Sequence, residues 1–383
     1  MKILYDHQAF VMQSYGGVSR CFAELCKHLP QDVAWQISLL ESDNAYMQEM
    51  GIGRPCRSYY NDFLMHGEWP AKGRIFNLFN RLRGIDYWNR EKYNERESVR
   101  LLEKGNYDVF HPTFFDPYYL PYLKGKPFVL TVHDMISELY PQYFPVDNAQ
   151  TRGKKLLAPL AAAIVAVSES TKKDVVRILH VPEDKVHVVY HGCSFSPSLK
   201  ANRLIDGQYV LYVGNRYGYK NFDLFVRDMS VVMKRHPELK VVCTGSPFNN
   251  KELILLDSYG VKSRFVHWWA KSDEDMHSLY HYAVCFVYSS EYEGFGIPIL
   301  EAYKSGCPVM LNRVACFREI AGDAAIYFEM RKEHSTFAEE FERLYSMPAG
   351  MREDLLKKQR TRLSMYSWDK SASQMAQIYE SIL

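Results

Sequence analysis

Residues 284–302 read Val284-Cys-Phe-Val-Tyr288-Ser-Ser-Glu-Tyr-Glu293-Gly-Phe-Gly-Ile-Pro-Ile-Leu-Glu301-Ala302. An apolar, β-rich run gives way to a glycine-broken loop, and the loop opens a helix. That is the repeating unit of a parallel sheet covered on both faces. Glu293 sits in the loop and Glu301 about one turn inside the helix, with seven residues between them. Gly294 and Gly296 allow backbone N–H groups to approach a ligand closely, and a helix start favours anions. Such a loop suits a nucleotide sugar: amides meet phosphate and sugar oxygens, and a carboxylate accepts both hydroxyls of a ribose diol. The plain structural alternative is that one glutamate caps the helix and the other faces solvent.

The same unit recurs along the chain. The pattern predicts strands over 2–5, 34–40, 107–110, 128–132, 163–167 and 186–190, then over 209–213, 240–243, 264–266, 284–288 and 308–311. Helical periodicity lies between them, as over 18–29, 168–179, 221–234 and 273–282. The series restarts after the polar, turn-rich residues 194–208, which read as an interdomain linker. Two such halves facing each other form a cleft, and ligands of open parallel sheets bind beyond the carboxyl ends of the strands.

The remaining composition narrows the classes. A chain of 383 residues with 47% hydrophobic and 24% charged residues is an ordinary folded protein of about two domains. Lys plus Arg is 47 against 45 for Asp plus Glu, a net charge of +2 that argues against nucleic acid as the main partner. No run of 18 apolar residues predicts a membrane-spanning helix, and the N-terminus reads as a strand rather than a leader. The eight scattered cysteines, without Cys-x-x-Cys, predict buried free thiols in a reducing cytoplasm. Residues 54–92 stand apart, with eight Lys/Arg against four acids and interleaved aromatics such as Tyr59, Trp69, Tyr87 and Trp88. Two readings stay open there: a peripheral contact with anionic lipid or a large acceptor, or a helical excursion packed on the first domain.

Three further stretches sit at strand ends. Leu211-Tyr-Val-Gly214-Asn-Arg216-Tyr-Gly218-Tyr-Lys220-Asn221 carries two cations into a helix start, a candidate diphosphate clamp or else solvated loop charges. Gly16-Gly17 enters a helix and permits close backbone approach, or forms an ordinary turn; it is not the dinucleotide fingerprint. His133, in Thr-Val-His133-Asp, can face a cleft and bond a sugar hydroxyl, or be a satisfied loop histidine. His111 is a weaker version of the same signal. His277 and His281 share a helix face without a third ligand, so no metal site is expected there.

Together these stretches resemble the retaining glycosyltransferases of family 4, which have the GT-B fold: an α/β architecture of two facing Rossmann-like domains. Val165-Ala-Val-Ser168-Glu-Ser-Thr, Val188-Val-Tyr-His-Gly192 and the ending Tyr366-Ser-Trp368-Asp-Lys extend the resemblance over nearly the whole chain. It implies an acceptor-binding domain over 1–195, a nucleotide-sugar-binding domain over 205–365, and a C-terminal helix over 366–383 crossing back to the first domain. Carried over by position, Lys220 and Arg216 hold the donor diphosphate, Glu301 takes the ribose hydroxyls, and Glu293 with the Phe295 and Gly296 amides holds the transferred sugar. His133 contacts that sugar on the reacting face, and Gly16-Gly17 approaches the phosphate from the opposite domain. Asn215 stands where many relatives have Arg, and Trp269 where relatives often have Gly.

The expected function is transfer of a hexose from a nucleoside diphosphate sugar to a glycan or lipid-linked glycan acceptor, with no metal and no cofactor. GDP-mannose is the leading donor and surface polysaccharide or O-antigen the leading product. The location is the cytoplasm or the inner membrane face. The alternatives are a GT-B hydrolase or epimerase of nucleotide sugars, and an idle nucleotide-sugar-binding protein. A Rossmann dehydrogenase is disfavoured by the missing fingerprint.

Overall fold

The computed structural model describes the chain apart from Met65, Glu68 and residues 84–89, and apart from the side chains of residues 57–59, 90 and 91. Its first half holds β1 (Lys2–Tyr5), β2 (Ala34–Ile37), β3 (Val109–His111), β4 (Val129–Val132), β5 (Ala163–Ala166) and β6 (Val186–Val188). They form two parallel three-stranded sheets, β2-β1-β3 and β4-β5-β6. A single parallel bridge between Phe110 and Phe128 joins the two at the β3 and β4 edges.

The second half holds β7 (Tyr209–Tyr212), β8 (Lys240–Cys243), β9 (Phe265–His267), β10 (Cys285–Tyr288), β11 (Val309–Asn312) and β12 (Ile326–Phe328). They make one six-stranded sheet in the order β12-β11-β10-β7-β8-β9, with every pairing parallel. That is the doubly wound order, and it reverses direction between β7 and β10. Every residue of β7, β10 and β11 is buried, which explains why these strands read as unbroken apolar runs.

Two expectations differ from the observed strands by more than a shift of one or two residues at an end. The run over 34–40 is strand only to Ile37, because its partner β1 ends in register at Tyr5. The sixth strand of the second sheet, β12, was not expected; it is an edge strand of three residues, too short to carry a pattern.

The last helix, Trp368–Ser381, packs on helix Gly17–His28 of the first half. Trp368, Ala372, Met375 and Tyr379 join Ile3, Tyr5 and Phe22 in one buried cluster. The phenol oxygen of Tyr379 lies 2.8 Å from that of Tyr5 and 2.6 Å from Nδ1 of His111.

Residues 54–92 contain helices Cys56–Asn61 and Lys72–Leu82. Phe63 and Phe76 bury against Tyr60, and buried Lys72 donates from Nζ to the carbonyls of Asn61 and Gly67. This side of the segment is a packed excursion. Ile75, Leu78 and Leu82 remain exposed on the other side of the same helix, and Phe79, also exposed, packs beside Phe63. Tyr87 and Trp88 lie outside the described residues, as do the side chains of Arg57, Tyr59 and Arg90. Among the described residues no helix is long and apolar enough to cross a membrane. All eight cysteines are free, and all but Cys193 are buried.

Candidate active site

The loops after β7 and β10 leave adjacent strands whose connections run in opposite directions, so both open at the switch point of the second sheet. A 3-10 turn over Gly218–Lys220 and a left-handed Asn221 (φ 56°) precede helix Phe222–Arg235 and set Lys220 at the loop tip. Its Nζ lies 2.5 Å from Oε1 of Glu293, and the Ser290 hydroxyl donates to the same oxygen at 2.6 Å. The rings of Tyr219 and Tyr288 flank the ammonium at 5.0 and 5.5 Å. The two signals found 73 residues apart in the sequence thus meet as one ion pair.

Gly294 is one of the places where the two lobes touch. A Cβ there would fall 1.7 Å from the carbonyl oxygen of His133, so only glycine permits the approach. Its own carbonyl accepts from the hydroxyls of Ser168 (2.7 Å) and Thr171 (3.1 Å), at the start of helix Glu169–Leu179. Gly296, at φ 99°, is the left-handed cap of helix Ile297–Lys304. The side chain of Phe295 is buried against Tyr190 and Tyr366, and its carbonyl accepts from the Cys316 thiol at 3.2 Å.

Between the lobes lies a cleft of about 390 Å³ lined by Gly17, His133, Glu293, Phe295 and Gly296, together with His191 and Tyr219. Gly17 begins its helix with open space where a Cβ would stand. Gly16 caps that helix, its carbonyl accepting from the Ser19 hydroxyl and the Arg20 amide. His133 follows β4. Its Nε2 is buried without a hydrogen-bond partner, and its ring stacks on His191 with centroids 5.9 Å apart. Burial pushes the His133 ring down to about 4 and the His191 ring down to about 3, so both imidazoles are neutral at pH 7.

Glu301 is buried one turn into its helix. Arg20 Nη1 lies 3.2 Å from its Oε1, and the Tyr280 hydroxyl donates to Oε2 at 3.1 Å. Burial raises its pKa, with Arg20 acting in the opposite direction.

Arg216 is not brought to Lys220 and Glu293. Its guanidinium is buried and engaged elsewhere, bonding Glu252 at 3.0 Å and the carbonyls of Thr244, Ser246 and Pro247. It lines a second cavity of about 1120 Å³ with Tyr143, Asn221, Glu252 and Glu291. His111 lies in the core, bonded to Tyr379 and Thr131. His277 and His281 bond to Ser305 Oγ and the Ser305 carbonyl. Among the described residues, the group able to surround a metal ion is Cys21, His133 and His191, whose ligand atoms lie within 4.8 Å of one another.

Sequence reasoning missed Arg20, Tyr280 and His191. Arg20 and Tyr280 carry no local signal, because the first meets Glu301 only across 281 residues of sequence. His191 directly follows the strand predicted over 186–190 and was legible as a strand-end histidine.

Comparison with known proteins agrees with this architecture. The Glycosyltransferase Family 4 model matches residues 15–196 and the Glycosyl transferases group 1 model residues 198–362. The O-antigen chain mannosyltransferase B of Escherichia coli is 28% identical over 246 residues, which is 60% of this chain and 63% of that protein. The O-antigen chain mannosyltransferase RfbU of Salmonella typhimurium is 26% identical over 219 residues, 56% of this chain and 60% of that protein. The chain thus spans less than two thirds of the length of either relative. The crystal structure of HepE from Anabaena in complex with UDP-glucose superposes over the whole of both chains with a TM-score of 0.72 at 14% identity, a likeness of fold. The chain belongs to the GT-B glycosyltransferases that join a family 4 N-terminal domain to a group 1 C-terminal domain.

Proposed function

We propose that this protein transfers a hexose, with mannose from GDP-mannose as the leading donor, to a hydroxyl of a glycan or lipid-linked glycan, with retention at the anomeric carbon. The observation that carries this reading is the Lys220–Glu293 pair at the switch point, with Glu293 lining the same cleft as His133. Lys220 and the amides at the start of helix Ile297–Lys304 hold the charge developing on the departing diphosphate, with no divalent ion in the scheme. Glu293 and the backbone at Phe295 and Gly296 hold the sugar, and Glu301 accepts the ribose hydroxyls. Neutral His133, which lines the cleft, contacts the sugar on its reacting face. The bond from C1 to the phosphate oxygen breaks as the bond to the acceptor oxygen forms on the same face, and the acceptor proton passes to the leaving phosphate. No protein nucleophile is needed. Arg216 supports the loop rather than the phosphate.

The names of the two mannosyltransferase relatives support mannose and O-antigen assembly. The exposed stripe of Ile75, Leu78 and Leu82, beside exposed Arg74, Arg81 and Arg83, supports a peripheral contact with anionic lipid at the inner membrane face, where a lipid-linked acceptor would sit.

The test is a thermal-shift screen of nucleotide sugars, followed by NMR of the product from the best donor in the presence of EDTA. A raised melting point with GDP-mannose and a product of retained anomeric configuration are expected. If no nucleotide sugar shifts the melting point, the reading fails.

A further inference from the structure

We propose that Cys21, His133 and His191 form a three-ligand site for a borderline-soft divalent cation of the Zn2+ class, and that its occupation shuts the cleft to donor. The three residues come from three separate elements: helix Gly17–His28, the end of β4 and the segment after β6. Their ligand atoms nevertheless all lie within 4.8 Å of one another. Cys21 Sγ stands 3.5 Å from His191 Nδ1. A tetrahedral zinc with Zn–S of about 2.3 Å and Zn–N of about 2.0 Å separates its sulfur and nitrogen ligands by roughly 3.5 Å.

An independent feature points to the same place. His133 Nε2 is a sealed nitrogen with no partner, which is costly unless something occupies it. The surround is apolar and fixes the rings. Phe22 meets His133 edge-on at 5.9 Å, and Phe295 and Trp368 pack on His191 at 4.9 and 5.4 Å. Both histidines also line the cleft, which puts the three-residue group beside it.

The donor set selects the ion. One sulfur and two imidazole nitrogens favour Zn2+ or Cd2+ over the oxygen-seeking Mg2+ and Ca2+. Binding involves no redox step: Cys21 enters as thiolate, its proton goes to solvent, and both imidazoles enter neutral. The consequence for activity rests on the proposed transfer reaction. His133 cannot serve a cation and the donor sugar together, so the cation competes with donor.

The experiment has a spectroscopic arm independent of turnover. The full chain, freed of metal with EDTA and then desalted, is titrated with Co2+ alone. A thiolate-to-cobalt absorption band saturating at one equivalent and discharged by Zn2+ is expected in the wild type. The band is absent in Cys21→Ala and in Cys21→Val, the second of which keeps the space filled, each checked for a retained thermal unfolding transition. In the transfer assay Zn2+ raises the apparent KM for donor, EDTA reverses the effect, and Cys21→Ala keeps its basal rate while needing at least tenfold more Zn2+. Absence of the band in the wild type, or its persistence in either cysteine variant, overturns the site. A band with no transfer activity under any condition overturns the transfer reading and leaves the site standing.

Discussion

Arg20 Nη1 lies 3.2 Å from Glu301 Oε1, and the two residues belong to opposite lobes. Arg20 Nη2 also reaches Asp273 at 2.7 Å. Both members of the Arg20–Glu301 pair are about nine-tenths buried, so this pair ties the first domain to the residue assigned to the ribose. Each oxygen of Glu301 has one protein donor and so retains capacity for a ribose hydroxyl.

Replacing Glu301 therefore has two effects. Glu301→Gln keeps one acceptor oxygen but leaves Arg20 to the half-exposed Asp273. Donor affinity, measured calorimetrically, should fall about tenfold, roughly the worth of one charge-assisted hydrogen bond, with a smaller change in kcat. The melting point should fall as well, because Arg20 loses the more buried of its two salt-bridge partners. An unchanged donor affinity removes the ribose contact.

Arg216 makes the opposite prediction. Its guanidinium satisfies Glu252 and three carbonyls away from the Lys220–Glu293 pair. Arg216→Ala should lower the melting point by several degrees, since a buried network loses its shared donor. Donor affinity in the fraction that stays folded should change less than threefold. A tenfold loss of donor affinity at unchanged melting point would return Arg216 to the phosphate.

A third prediction concerns acid. Burial holds the His111 ring down to about 3, with the neighbouring His133 acting in the same direction. The unfolded chain takes up that proton near pH 6.5, the folded chain only near pH 3. Stability from this group is therefore complete above pH 6.5 and is lost as pH falls toward 3. Between pH 6.5 and 5 the loss is about 2 kcal/mol for one such histidine. Urea unfolding of His111→Gln should show a shallower decline over that window than wild type, whatever its stability at pH 7. Equal slopes would contradict the neutral buried state.

The parts that were legible in the sequence share a physical cause. β7, β10 and β11 are buried on both faces, so their apolar runs show without ambiguity, and the loops that leave them inherit a known position. Lys220, Glu293, His133 and Gly294 were readable because a strand end and a following helix fix where a loop residue sits. Arg20 was not, because its role depends on lobe-to-lobe distance, which no local pattern encodes. The environment of Arg216 was hidden for the same reason. Its charge suggested phosphate, and only the fold shows the carbonyls of residues 244–247 waiting for it. In residues 54–92 the composition is evenly mixed, and only packing separates buried Lys72 and Phe76 from exposed Leu78 and Leu82.

The central claim is that the interlobe cleft grips a diphosphate through Lys220. The most direct measurement is calorimetric titration of GDP and UDP into the wild type and into Lys220→Ala, in EDTA. One of the two nucleotides should bind the wild type at a single site, and the variant should bind it at least tenfold more weakly, since a charge-assisted contact is worth about 1.5–3 kcal/mol. Binding of equal strength in both proteins, or of neither nucleotide to the wild type, would contradict the account.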